Sequence, residues 1–145
     1  MKKIFITVLV IVTIAASAFA SPTKVNYVAL KSFGAEFKNA SEVSWTTNAN
    51  FIRATFVYED QRMEAFYTPT GEKIGVSRGI SVDELPVKAK RAFAKKYDKY
   101  NVKEAILFEG VEENAYFISA ENETENVIVK VFDDGSVSVF KKTRK

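Results

Sequence analysis

An internal repeat constrains the fold of this chain more than any other feature of its sequence. The stretch that begins Phe51-Ile-Arg-Ala-Thr-Phe and ends at Gly71 returns in loose form between Tyr116 and Gly135. Alignment of Gly71 with Gly135 gives a spacing of 64 residues. Similarity at a fixed spacing is typical of a duplicated structural unit. We therefore expect two copies of one unit, each a helix followed by a run of antiparallel strands.

The first copy begins with an amphipathic pattern. Apolar residues recur at steps of three and four across residues 21–40, which predicts a helix that packs one stripe against a core. A short strand around Trp45 follows, and apolar and polar residues alternate across 52–58 and 63–67, as in half-buried strands. After a tight turn at Gly71, a fourth strand is predicted to turn Ile74 and Val76 towards the core. We also expect Trp45 to pack in the core.

The second copy repeats this order. Its predicted helix carries an apolar stripe that includes Ala89 and Phe93, and strands are expected near 102–108, 116–120, 127–132 and 136–140. The start of the helix has two interpretations. Ser81-Val-Asp-Glu84 resembles a capping box, but a helix from Ser81 would hold Pro86 in its second turn at a cost of about 3 kcal/mol. We therefore place the start at Pro86.

These elements predict an α+β fold. The tandem duplication of a helix followed by a four-stranded antiparallel meander should give one curved sheet of about eight strands, with two helices on one face. We assign residues 21–145 to a single domain made of two repeats, about 21–80 and 81–145.

The first 20 residues have the pattern of an export signal. Lys2 and Lys3 precede an apolar run, and Ala18-Phe-Ala20 supplies small residues for cleavage. The alternative is an uncleaved anchor, because the run is about as long as the shortest spanning helices. We favour cleavage after Ala20, because no charged stop-transfer cluster follows. The mature protein is then expected in the periplasm or outside the cell, without a stable membrane span.

The composition excludes several classes of function. The chain has no histidine and no cysteine, so it lacks the commonest general base, the commonest transition-metal ligand and the thiol nucleophile. Its paired acids fall in predicted turns, where solvated carboxylates are usual. Without the signal, 19 basic residues balance 18 acidic ones, so nucleic acid is not an expected partner. We predict a protein that is not an enzyme and needs no cofactor, with residues 141–145 as a frayed basic tail.

The sheet face opposite the helices is the candidate binding surface. A solvated antiparallel face should carry polar side chains, but here phenylalanines, together with Val57 and Ile128, alternate with charges. Large rings among charges are typical of protein-binding surfaces. A one-residue slip in strand register would instead send each ring into the core. The candidate binding residues are Phe51, Arg53, Phe66, Phe117, Lys130, Phe132 and Phe140.

Several segments together resemble one known family. They are Asn39-Ala-Ser-Glu-Val-Ser-Trp45, Tyr67-Thr-Pro-Thr-Gly71, Glu84-Leu-Pro86 and Phe132-Asp-Asp-Gly135. In this order the chain resembles the PepSY-like, β-lactamase-inhibitor-like (BLIP-like) family of exported bacterial proteins. The resemblance implies a small periplasmic or secreted domain of a Gram-negative bacterium that binds proteins with its open sheet face. The matching segments are structural, so they name neither a catalytic residue nor a β-lactamase target.

The leading functional hypothesis is a non-enzymatic exported module, inhibitor-like in kind, that binds a protein or peptide with the open face. One alternative is a carrier of a small apolar or envelope ligand in the concavity of the sheet, which requires a pocket. The other is a structural envelope protein. If the rings are exposed, replacing Phe66 and Phe132 with Ser should change the melting temperature by only a few degrees.

Overall fold

The structure is a computed structural model that describes residues 24–145. In this range the helices are α1 (Tyr27–Glu36) and α2 (Val87–Lys96), with a short 3-10 helix at Val82–Glu84. The eight strands are β1 (Ser41–Thr47), β2 (Ile52–Tyr58), β3 (Gln61–Tyr67), β4 (Lys73–Ile80), β5 (Asn101–Gly110), β6 (Asn114–Glu121), β7 (Glu125–Val131) and β8 (Val137–Arg144).

The strands form one antiparallel sheet in the order β1 to β8, so each strand pairs with its neighbours in the chain. This confirms the predicted α+β fold with eight strands and two helices. The predicted export signal, residues 1–20, lies outside the described residues. Within residues 24–145, neither helix has the length and apolar character needed to cross a bilayer.

The internal repeat has two spacings in the structure. The helices correspond at a spacing of 60 residues, because buried Ala29 and Phe33 of α1 match buried Ala89 and Phe93 of α2. The later strands keep the spacing of 64, and Gly71 and Gly135 occupy equivalent turns with φ of +96° and +88°. The second unit therefore holds four additional residues in and around β5, which has 10 residues where β1 has seven.

The start of α2 uses both sequence signals. The Glu84 carboxylate accepts a hydrogen bond of 2.7 Å from the Ser81 backbone N–H, which closes the short 3-10 turn. Pro86 then caps α2, whose first helical residue is Val87. The predicted start at Pro86 was one residue early, because Pro86 has extended backbone angles and stands just outside the helix.

Both helices cover the same face of the sheet. Val76 and Ile80 lie four residues apart on β4 and therefore point to one side. Val76 packs in the core beneath α1, whereas Ile80 packs against the core beneath α2. Trp45 joins the first of these cores as predicted, with its ring 5.2 Å from the Phe33 ring in an edge-on arrangement.

Two local predictions were wrong. In β3 and β4, Phe66 pairs with Gly75 but Tyr67 pairs with Lys73, so Ile74 is an additional residue in a bulge and turns to the face away from the helices. The basic residues at the C-terminus are not a frayed tail, because β8 continues to Arg144. Ion pairing contributes to this order, since Lys142 Nζ lies 2.8 Å from a carboxylate oxygen of Glu125.

Candidate binding face

A third apolar cluster lies on the sheet face opposite both helices, and we call it the open-face cluster. Every member belongs to a strand or directly flanks one, and no residue of α1 or α2 takes part in it. Its members are Phe51, Phe66, Ile74, Ile106, Phe108, Ala115, Phe117, Ile128, Phe132 and Phe140. The sheet therefore carries apolar side chains on both faces, although helices cover only one.

Cross-strand pairing brings these residues together. Phe108 of β5 pairs with Ala115 of β6, and Ile106 pairs with Phe117, so the four side chains form two adjacent rows on one face. On the other side of β5, Gly75 leaves room for the Phe108 ring. A Cβ atom at position 75 would lie 2.6 Å from Cζ of Phe108, which is closer than side chains allow. The absence of a side chain at Gly75 thus allows the ring to lie against the backbone of β4.

The aromatic rings contact one another, and this changes how exposed they are. Phe66 lies between Phe51 and Phe108, with ring centroids 5.7 and 6.1 Å away, and Phe117 lies 5.3 Å from Phe140. As a result, Phe66 is only 2% exposed and Phe117 only 5%. The sequence left open whether these two rings face solvent or are buried, and in the structure their neighbours bury them without help from a helix.

The other five candidate residues are partly buried, so they present part of their surface at this face. They are Phe51, Arg53, Lys130, Phe132 and Phe140. The structure thus brings all seven sequence candidates to one face of the sheet. It separates them into two buried rings that support the face and five side chains that reach solvent.

Charged side chains on the open face are held by opposite charges. Arg53 lies 3.5 Å from a carboxylate oxygen of Glu64 and donates a hydrogen bond of 3.3 Å to Thr46 Oγ1. Burial raises the pKa of the Glu64 carboxyl above its ordinary value, an effect that Arg53 opposes and Glu104 increases. The arrangement places a fixed guanidinium group beside Phe66, whose cross-strand partner is Arg53.

Lys130 occupies a similar position on the second unit. Its ammonium group lies 3.1 Å from Oε1 of Glu113 and 4.4 Å from the centroid of the Phe132 ring. A cation over an aromatic face is attracted by the negative charge of the π system. These two contacts hold both the Lys130 charge and the Phe132 ring in place at the surface.

Sequence reasoning missed four members of the cluster. Ile74 was assigned to the wrong face because the sequence does not reveal the bulge. Ile106, Phe108 and Ala115 were not assigned to either face of the sheet. For Ile106 and Phe108 the reason is that the run Ala105-Ile-Leu-Phe108 is apolar at every position, so it has no alternation from which a face could be inferred. The two-residue spacing of Ile106 and Phe108 was the available signal, but only pairing with Phe117 fixes which side they take.

Neither of the two best-formed hollows among the described residues suits a small apolar ligand. The hollow on the open face, between Glu104, Ile106, Phe117, Ser119 and Ile128, is too shallow to hold even a water-sized sphere, so its cavity volume is about 0 Å³. Pockets for small ligands usually measure about 300–1,000 Å³. A wider depression at the end of the sheet is lined by Glu123, Thr124, Glu125, Arg144 and Lys145, which do not suit an apolar ligand. Among the described residues, no group of acidic side chains is placed to hold a metal ion.

Comparison with known proteins identifies the fold. No protein-family model and no curated protein matches the chain. A BLIP-like protein from Bacteroides fragilis has 13% identity and a TM-score of 0.68, with 83% of this chain and 86% of that chain covered. A Bacteroides eggerthii protein described as periplasmic has 15% identity and a TM-score of 0.72, with 83% and 88% covered.

A third solved structure, a DUF2874 family protein from Bacteroides ovatus, has 14% identity and a TM-score of 0.71, with 83% of this chain and 87% of that chain covered. The chain shares the fold of these proteins. Identities this low establish shared architecture and nothing about partners. They support the BLIP-like part of the resemblance seen in the sequence, whereas the PepSY-like part has no support from these structures.

Proposed function

We propose that this protein is a non-enzymatic, exported module that binds a protein or peptide through the open-face cluster. The observation that carries the proposal is an apolar cluster of ten residues on a sheet face that neither helix covers. Solvated faces of antiparallel sheets normally carry polar side chains, and contiguous apolar surface on a soluble protein often marks an interaction site.

The packing of the rings suits them to binding. Phe66 and Phe117 are buried and support the partly exposed rings of Phe51 and Phe140, whose positions are therefore fixed before a partner arrives. Binding to fixed side chains loses little conformational entropy. Arg53 and Lys130 lie beside the rings and give the surface charged groups at its margin, as in many protein interfaces.

The comparisons add support for this class of function. One structural neighbour is named BLIP-like and another is described as periplasmic, which agrees with export and with inhibitor-like binding. The composition points the same way, since a chain without histidine or cysteine lacks the usual catalytic side chains. The small size of the hollow on the open face favours a macromolecular partner over a small apolar ligand.

The test uses two pairs of substitutions on opposite sides of the sheet. Phe132→Ser/Phe140→Ser removes two partly exposed rings of the open face, whereas Tyr27→Ser/Leu30→Ser removes exposed apolar side chains of α1. Each tagged protein is used to capture exported proteins of its own source, and circular dichroism verifies folding. We expect a specific partner to be captured by the wild type and the α1 variant but lost from the open-face variant.

Two results would contradict the proposal. Capture of the same partner by the folded open-face variant would show that the cluster is not the binding surface. Equal loss of partner capture in both variants would mean that capture is sensitive to surface substitutions in general and does not depend on the open face in particular.

A further inference from the structure

Helix α2 carries an unusual concentration of positive charge. Five of its ten residues are basic and none is acidic. All five side chains are exposed, and among the described residues only Lys90 forms an ion pair, with Asp83. The unpaired cations are Lys88, Arg91, Lys95 and Lys96.

Helix stability does not account for the cations at the start of α2, although the helix dipole does favour Lys95 and Lys96 in its last turn. Lys88 and Lys90 lie in the first turn of α2, where the helix dipole disfavours cations, and no acidic residue accompanies them there. Arg91 and Lys95 are four residues apart, so their like charges repel each other. The fold does not require these cations either, because the equivalent positions of α1, at the spacing of 60 residues, include Val28, Leu30 and Ala35.

Exposed apolar side chains accompany the cations on the same side of the molecule. In α1, Tyr27 is 74% exposed, Val28 53% and Leu30 42%, and Val87 at the start of α2 is 65% exposed. Because both helices cover one face of the sheet, their outer surfaces lie on the same side. Cations combined with exposed apolar side chains are typical of proteins that bind at a lipid surface without spanning it.

The spacing of the cations suits an extended anionic surface better than a single anion. Lys88 and Lys95 are seven positions apart in a helix, so their backbones are separated by about 10 Å. Such an array matches a plane of phosphate headgroups, each lysine near a different one. We propose that the outer surface of α2, with the exposed apolar residues of α1 beside it, docks this protein onto an anionic lipid surface and leaves the open-face cluster free for its partner.

Vesicle flotation provides the test. The full protein, purified after export without detergent, is mixed with vesicles of phosphatidylcholine alone or of phosphatidylcholine with phosphatidylglycerol. We expect binding to the anionic vesicles that weakens as salt rises. Because each cation near an anionic surface contributes about a fivefold change in partition, Lys88→Gln/Lys95→Gln should lower the partition coefficient by about thirtyfold.

The matched control removes the same charge from the open face. Arg62→Gln/Lys141→Gln also lowers the net charge by two, and both residues are exposed on the opposite side of the sheet, as their pairing with Val57 and Ile128 indicates. The control should change partition by less than about fivefold. Any of three results would overturn the proposal. They are an equal loss of vesicle partition in both variants, equal binding of the wild type to both vesicle types, and no binding of the wild type to anionic vesicles.

Discussion

Replacing Phe66 with Ala tests whether the open-face cluster is packed as described. The Phe66 ring is 2% exposed and contacts the rings of Phe51 and Phe108. Loss of a buried phenylalanine ring costs about 3–5 kcal/mol, because apolar burial is lost and a cavity remains. Phe140 has one aromatic neighbour, Phe117, and lies on the edge strand β8, so Phe140→Ala should cost only about 1 kcal/mol.

Urea unfolding measures both variants. Trp45 is the only tryptophan and packs on Phe33, so its fluorescence reports the loss of the first core, and circular dichroism follows the whole sheet. For a domain of this size, about 3 kcal/mol corresponds to a fall in melting temperature of roughly 10 °C. If Phe66→Ala costs no more than Phe140→Ala, the description of Phe66 as a buried support for the surface rings is wrong.

Three further predictions concern individual residues. Gly71→Ala should lower the melting temperature more than Gly135→Ala. Both residues have positive φ, but a Cβ atom at position 71 would lie 2.6 Å from Cβ of Val28, whereas at position 135 the nearest atom would be 3.3 Å away. Equal losses of melting temperature would contradict the tighter contact at Gly71. Tyr67→Phe should stabilise by about 1–2 kcal/mol in urea unfolding, because it removes a buried hydroxyl that has no hydrogen-bond partner in the described structure. Burial raises the pKa of Tyr67 to about 12, so the free energy of unfolding of the wild type should fall as pH rises from 10 towards 12. The same alkaline fall in Tyr67→Phe would refute this. Hydrogen bonds from Lys142 and the Tyr100 hydroxyl lower the pKa of Glu125 below its ordinary value of 4.5. The ionised Glu125 therefore stabilises the fold above pH 4.5, and this stabilisation is lost as pH falls through the lower pKa of the folded state. Lys142→Ala should weaken this dependence of the free energy of unfolding on acid pH. An unchanged dependence would contradict the stabilising role of the Glu125–Lys142 pair.

The architecture could be predicted because each element has a local signal. Alternation across 52–58 defines β2 and its core face, and the equivalent glycines at 71 and 135 mark turns whose positive φ a larger residue would strain. These signals depend on residues close together in the chain. Agreement between local pattern and final fold is what allowed both helices and all eight strands to be predicted.

The extent to which each candidate residue is buried could not be predicted in the same way. Alternation indicates the face to which Phe66 points, but its burial depends on Phe51 and on Phe108. Phe108 lies two strands further along the chain, on β5, and only the pairing of β4 with β5 brings it close. Likewise, Ile74 changes face because of one additional residue in β4, which leaves no local sequence signal. Long-range strand pairing, and not local sequence pattern, determines which rings of the open face are buried and which reach solvent.

Site-specific photo-crosslinking in living cells of the source organism can determine whether a protein partner contacts the open face. A photoreactive phenylalanine analogue replaces Phe132 or Phe140 on the open face, and Tyr27 or Val87 on the helix side provides the control. We expect both open-face positions to give a protein adduct of the same mass that neither helix-side position gives. No protein adduct from the open face, or the same adduct from both sides of the sheet, would contradict it.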